Sequence, residues 1–391
     1  MNVEGFGAKL LFACFLFFSL PVVVQASPVE TNVVDQQLDK LGIEDVKQFW
    51  DGLVTKYGGY LPESQKGSFM EFVKGEKEIS IKEWMLGLLK YLFHELVANG
   101  KLLGTLIMLT IFSALLQSLQ SAFSKSSVSK IADAVVYMVL IIFALNSFYV
   151  VMTYARETIQ TMVDFILALL PILLALIATG GGVVSVAFFH PIIIFLMNTS
   201  GLLMNYIVLP LLLLATILSI VSTMSDQYKV TKLSKLLQNV SVGIIGIFLT
   251  IFLGVLSVQG TATAVADGIA VKTAKFVTGN FIPVVGRMFT EAADTVISAS
   301  GLLKNTVGII GLVILCLIVA FPAIQIFCIA FIYKFAAAVL QPVGGGAIIQ
   351  CLDIIGRSII YVFACLAIVS FMFFLSITII IAAGNITLMM R

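Results

Sequence analysis

The chain has 391 residues, of which 60% are hydrophobic and only 11% charged, with a mean hydropathy of +1.09. That composition excludes a water-soluble enzyme, a disordered scaffold and a strongly basic nucleic-acid binder, and it specifies an integral membrane protein. Charge divides the sequence: residues 27–100 hold 12 acidic and 8 basic groups, while 101–391 hold 8 and 14, too few to clothe a soluble body of that size.

At the N-terminus Lys9 precedes the apolar run Leu10 to Val24, and Val24-Gln25-Ala26 places small residues at the positions a signal peptidase reads. The run is shorter than the roughly 20 residues of a membrane span. Residues 1–26 therefore read as a signal peptide cleaved after Ala26, and residues 27–100 as an extracytoplasmic domain. Within it Val46, Phe49, Trp50, Leu53, Val54 and Tyr57 share one helix face, Asp45, Lys47, Asp51 and Lys56 the other, and Gly58-Gly59 ends the helix. Ser80 with Glu83 predicts a capping box opening a second helix, whose stripe is Ile81, Trp84, Met85, Leu88, Tyr91, Leu92 and Leu96. This helix is expected at the membrane surface or packed on its neighbour.

The membrane domain, 101–391, contains apolar runs at about 101–123, 131–153, 159–178, 183–222, 236–258, 306–333 and 358–384. With 183–222 divided at Asn198-Thr199-Ser200-Gly201 and Asn205, these predict an all-α, polytopic protein of about eight spans. An external N-terminus then makes loops 124–130, 223–235 and 334–357 cytoplasmic. They carry Lys125, Lys130, Lys229, Lys232, Lys235, Lys334 and Arg357, in agreement with the positive-inside rule. Residues 154–158 become an external loop. Residues 259–305, half-apolar and containing Pro283, are either external amphipathic helices or a re-entrant segment, and 335–355, broken by Gln341-Pro342 and Gly344-Gly345-Gly346, pose the same choice. The spacing of Pro191 and Pro210 is echoed by Pro322 and Pro342, but the surrounding match is too poor to establish an internal repeat.

Ionisable groups inside apolar runs are the places to look for a pathway. Asp164 lies close to the external end of its run, near Arg156 or interfacial water. His190-Pro191 combines a protonatable ring with a helix break, against the plainer reading of a histidine bonded to a neighbouring carbonyl. Asp353 and Arg357, four apart, would pair on one helix face as a structural ion pair or a gate; Arg287 and Glu291 have the same spacing, and Pro283 breaks the segment before them. Five cysteines, Cys14, Cys316, Cys328, Cys351 and Cys365, show no metal-ligand spacing. No nucleotide loop, catalytic triad, zinc signature or carboxylate pair is legible, so a non-enzymatic protein without cofactor or metal is expected.

The segment FIPVVGRMFTEAADTVISASGLLKNTVG (281–308) resembles the stage III sporulation protein AE family of endospore-forming bacteria, and the leader, the helix LGIEDVKQFWDGL (41–53) and the many-span body fit the same likeness. The resemblance implies a subunit of a multi-protein complex encoded by the spoIIIA operon, in the mother-cell membrane around the forespore. With stage II sporulation protein Q on the forespore side, that complex would form a channel that sustains late forespore gene expression. The expected partners are those subunits, further copies of this chain and the lipid bilayer, with no nucleic acid. A self-contained secondary transporter is the alternative, and it predicts ionisable groups meeting at mid-membrane.

Overall fold

A computed structural model describes residues 43–62, 80–122, 127–224, 230–281, 285–342 and 347–389. The leader, the start of the polar domain and Pro283 lie outside the described residues, as does the side chain of Arg287. The elements are α1 (Glu44–Tyr57), α2 (Ile81–Ala98), α3 (Gly100–Ala122), α4 (Ser127–Thr179), α5 (Val183–Leu203), a π-helical stretch (Met204–Val208), α6 (Leu209–Met224), α7 (Thr231–Phe281), α8 (Val285–Leu340) and α9 (Ala347–Met389). Among the described residues there is no strand, and the protein is an all-α, polytopic membrane protein.

Apolar runs combine into fewer and longer helices than the sequence suggests. Five helices are long and apolar enough to cross a bilayer, or six if α2 and α3, bent by 41° at Asn99, count as one. The expected external loop 154–158 is continuous α4, because Ala155, Arg156 and Glu157 are strong helix formers with no Pro or Gly among them. Ala155 and Thr158 face the core while Arg156 and Glu157 face out, so the polar residues form the outer stripe of one helix. The expected turn at 198–205 is likewise absent. Ser200 is buried and donates its hydroxyl to the Met197 carbonyl (2.7 Å), and the chain passes through the π-helical stretch into α6. Where described, residues 259–305 are helical: they complete α7 and begin α8. Across 335–355 α8 ends at Leu340 and α9 begins at Ala347, so 335–340 and 347–355 belong to two long helices.

Short connections make successive long helices antiparallel. Tyr333 of α8 donates to Ser147 of α4 (2.9 Å), and Gly311 faces Leu169, so position 147 stands by 333 and 169 by 311 in one unbroken register. Contacts of Lys304 with Asn385 and of Lys334 with Asp353 fix α8 against α9 in the same way. Helix α4 is the centre of the bundle, with 61% of its most apolar window buried, whereas α7 is peripheral at 22%. Lys232 and Lys235 of α7, Lys334 of α8 and Arg357 of α9 therefore share one end, as the reading of cytoplasmic loops requires.

Helix α1 forms on its predicted face. Val46, Trp50, Leu53 and Tyr57 are buried, Asp45, Lys47, Asp51 and Lys56 are exposed, and the Gly58 N–H closes the end on the Val54 carbonyl (2.8 Å). At α2 the predicted start is correct but its cap differs. No side-chain cap bond forms at Ser80; its carbonyl accepts from the N–H groups of Glu83 and Trp84 instead.

Candidate functional site: ions at the ends and middle of the bundle

At the end bearing the cations, Asp353 is half-buried and accepts from two helices. Lys334 of α8 donates to its Oδ1 at 2.6 Å, and Arg357, one turn along α9, donates through Nε to Oδ2 at 2.8 Å and also through Nη2. Sequence spacing anticipates the Asp353–Arg357 pair; Lys334 could not be paired from spacing because it reaches across from another helix. Neutral contacts support the same end, with Tyr137 bonded to Thr223 and Ser219 to Ser234, whose hydroxyl also donates to the Ala215 carbonyl (2.8 Å).

The opposite end is built from groups within 259–305, the stretch that the sequence leaves open between external amphipathic helices and a re-entrant segment. Helix α4 stops at Gly180-Gly181-Gly182, where Gly181 adopts φ 90°, a left-handed conformation that favours glycine, and α5 begins at once. The first turn of any helix leaves N–H groups without intrahelical partners. Here Asp267, fully buried and contributed by α7, fills that need: its Oδ1 accepts from the Val184 N–H (2.8 Å) and its Oδ2 from the Ser185 N–H (3.0 Å). The positive end of the α5 dipole compensates the carboxylate. Close by, Lys304 of α8 is 2% exposed and donates to Asn385 Oδ1 of α9 (2.7 Å). A Cβ on Gly384 would stand 2.5 Å from the Lys304 Nζ, so glycine at that position leaves the ammonium its room.

Halfway between these ends is a third polar level. Arg156, Glu157, Gln160 and Asp164 are exposed on α4 and, in its register with α8, stand opposite the middle of that helix. At a rise of about 1.5 Å per residue this level is roughly 20 to 25 Å from Lys304 and from Lys334. Arg156 does not pair with Asp164; it donates to the carbonyl of Asn205 in the π-helical stretch (3.5 Å), while Gln160 donates to Asp164 (2.9 Å). The π-helix, a geometry often found at functional positions, thus offers a backbone acceptor where the charged stripe passes. Helix α1 docks at the same level: Phe49 meets Phe165 edge-on (centroids 5.4 Å apart), Tyr57 stacks on Phe321 (3.9 Å), and Tyr91 of α2 closes on both rings. Glu95 of α2 accepts from Gln325 of α8 nearby (3.2 Å).

His190 and Pro191 lie exposed within α5, apart from all three polar levels, and among the described residues the His190 ring has no hydrogen-bond partner. Asp164 belongs to the middle level, Asp353 and Arg357 to the cation-bearing end. The structure therefore does not unite the sequence-selected residues in one site. Asp267 and Lys304 were missed. Their sequence signal is isolation: Asp267 stands alone within Thr-Ala-Thr-Ala-Val-Ala-Asp-Gly-Ile-Ala-Val, and Lys304 is the one charge between Asp294 and Lys334.

No solved structure matches the chain. The family model for stage III sporulation protein AE matches residues 64–384, a range that contains the three polar levels apart from helix α1 and Asn385. Stage III sporulation protein AE of Bacillus subtilis (strain 168) is 64% identical over 362 residues, covering 93% of this chain and 90% of that protein. Likeness of that extent runs through both ion clusters and the long helices joining them, and the chain belongs to the stage III sporulation protein AE family.

Proposed function

We propose that this sporulation protein is a non-enzymatic membrane subunit of a transenvelope channel linking mother cell and forespore, working with the other spoIIIA-encoded subunits and, through them, with stage II sporulation protein Q. The observation that carries the reading is the polar middle of an apolar bundle. Between Lys304 and Lys334 helix α8 has no charged residue over about 45 Å, close to the full thickness of a bilayer with its headgroups. Yet at the centre of that length α4 exposes Arg156, Glu157 and Asp164, and docked α1 exposes Asp45, Lys47, Asp51 and Lys56. Ionised groups facing hydrocarbon cost several kcal/mol each and persist where they meet water or protein. One side of the bundle therefore faces a wet space or a partner subunit, which suits a component of a shared conduit better than a solitary anchor in lipid.

In this reading the leader is removed, residues 27–100 are translocated and α1 lies along the wet, polar side of the bundle in continuity with the intermembrane space, and the chain resides in the mother-cell membrane around the forespore. The rival secondary transporter gains support from buried Asp267 and Lys304 beside a broken helix. Those ions sit at one end of the bundle instead of its middle, and each already has its own partner.

The test is passage of size-graded solutes through proteoliposomes containing the chain alone or assembled with its spoIIIA partners. Size-graded passage through the assembly only, abolished by the double change E157Q and D164N, is expected; that variant should keep its folding stability within about 0.5 kcal/mol because both side chains are exposed. Saturable, solute-selective flux from the lone chain would establish the transporter instead.

A further inference from the structure

Lys304 is the one buried ammonium whose only polar contact among the described residues is a neutral amide, Asn385 Oδ1. An ammonium has three donors, so two remain. Asp267 does not take them. Both of its oxygens are engaged by the Val184 and Ser185 N–H groups, and no ion pair joins it to Lys304. Beside the ammonium is a small cavity walled by Gly180, Gly182, Gly301 and Gly384 together with aliphatic side chains, with room for about one water-sized occupant. Ser300, one helical turn before Lys304 and on the same face, has a fully buried hydroxyl without a hydrogen-bond partner.

We propose that this glycine-walled cavity is a site for a single monatomic inorganic anion such as chloride, somewhat larger than the water-sized occupant the cavity admits as it stands, held by Lys304. A water molecule would accept from the ammonium but leave a buried charge uncompensated, which is the costly arrangement in a low-dielectric interior. An anion both accepts from Nζ and neutralises it. The lack of side chains on four walls brings the occupant close to backbone, and the size of the space excludes phosphate or a metabolite carboxylate. Asp267, whose Oδ2 would stand 3.4 Å from a Cβ on Gly182, is a charge of like sign close to the cavity wall, and its pairing with the start of α5 reduces its repulsion. Occupancy would tie α8 and α9 to the turn between α4 and α5, independently of whether the bundle lines a conduit.

The experiment is thermal unfolding of the full chain in lipid nanodiscs as chloride or bromide replaces gluconate at constant ionic strength. A saturable rise in Tm with either halide is expected, absent in K304M, and with half-saturation at least tenfold higher in G384A, whose new methyl would crowd the ammonium. Equal Tm in halide and gluconate for the unaltered protein would overturn the proposal without reliance on any variant. A saturable halide effect that survives in K304M would overturn it as well, by placing the ion elsewhere.

Discussion

The two ends of the bundle hold the same kinds of charged residue in opposite physical regimes. At one end Asp353, Lys334 and Arg357 meet side chain to side chain while staying partly in water, and hydration makes such contacts cheap to form and cheap to lose. At the other, Asp267 and Lys304 are stripped of water and are held by backbone N–H groups and an amide. The visible ion cluster is therefore a fastening with little at stake. The two inconspicuous groups, Asp267 with two backbone bonds and Lys304 with one amide bond, each reach across helices far apart in sequence and tie α7 to the start of α5 and α8 to α9.

The sharpest way to break that comparison is D267A. Two buried N–H groups at the start of α5 would lose their acceptor and α7 its anchor, a cost of about 3 kcal/mol from unpaired donors and lost dipole compensation. The expected result is a large fall in Tm and in folded protein recovered from membranes, with D267N intermediate because its amide oxygen still accepts one N–H. At the opposite end D353N should cost less than about 1 kcal/mol, and that small effect should shrink further in high salt, since the groups are partly solvated. Unfolding both variants in one detergent series measures the contrast directly. Equal losses would mean that burial does not distinguish the two ends.

How much of this was legible in the sequence depends on where each residue's partner lies. The faces of α1 could be read because its apolar residues recur at helical spacing, and Asp353–Arg357 because both groups ride one helix. The long apolar runs announced a helical membrane protein, but their number misled. A hydropathy window registers Arg156, Glu157 and Asp164 as a gap between two spans, although they are the exposed stripe of one continuous helix. Residues 259–305 were hard to place for the converse reason. Their half-apolar pattern with scattered charges left external amphipathic helices and a re-entrant segment open, while Asp267 and Lys304 turn inward to partners more than 80 positions away, and no local pattern encodes that.

The middle of the bundle sharpens the comparison from outside the spans. Tyr57, at the end of α1, is stacked on Phe321 and edge-on to Tyr91, with Lys56 over its ring at 5.3 Å. Burial raises its phenol above the ordinary value of 10.0, against a smaller opposing pull from Lys56. The folded state thus holds the phenolic proton more tightly than the unfolded one. Its contribution to docking is complete below about pH 10 and is lost as pH rises above that value. Hydrogen exchange of α1 should accordingly be flat from about pH 6 to 9, after correction for intrinsic rates, and then show loss of protection confined to α1 while α4 and α8 stay protected. Y57F keeps the stack but has no proton to release, so it should remove the alkaline step. If the step persists in Y57F, another group governs the docking of α1, and the polar middle of the bundle is held by something other than its aromatic cluster.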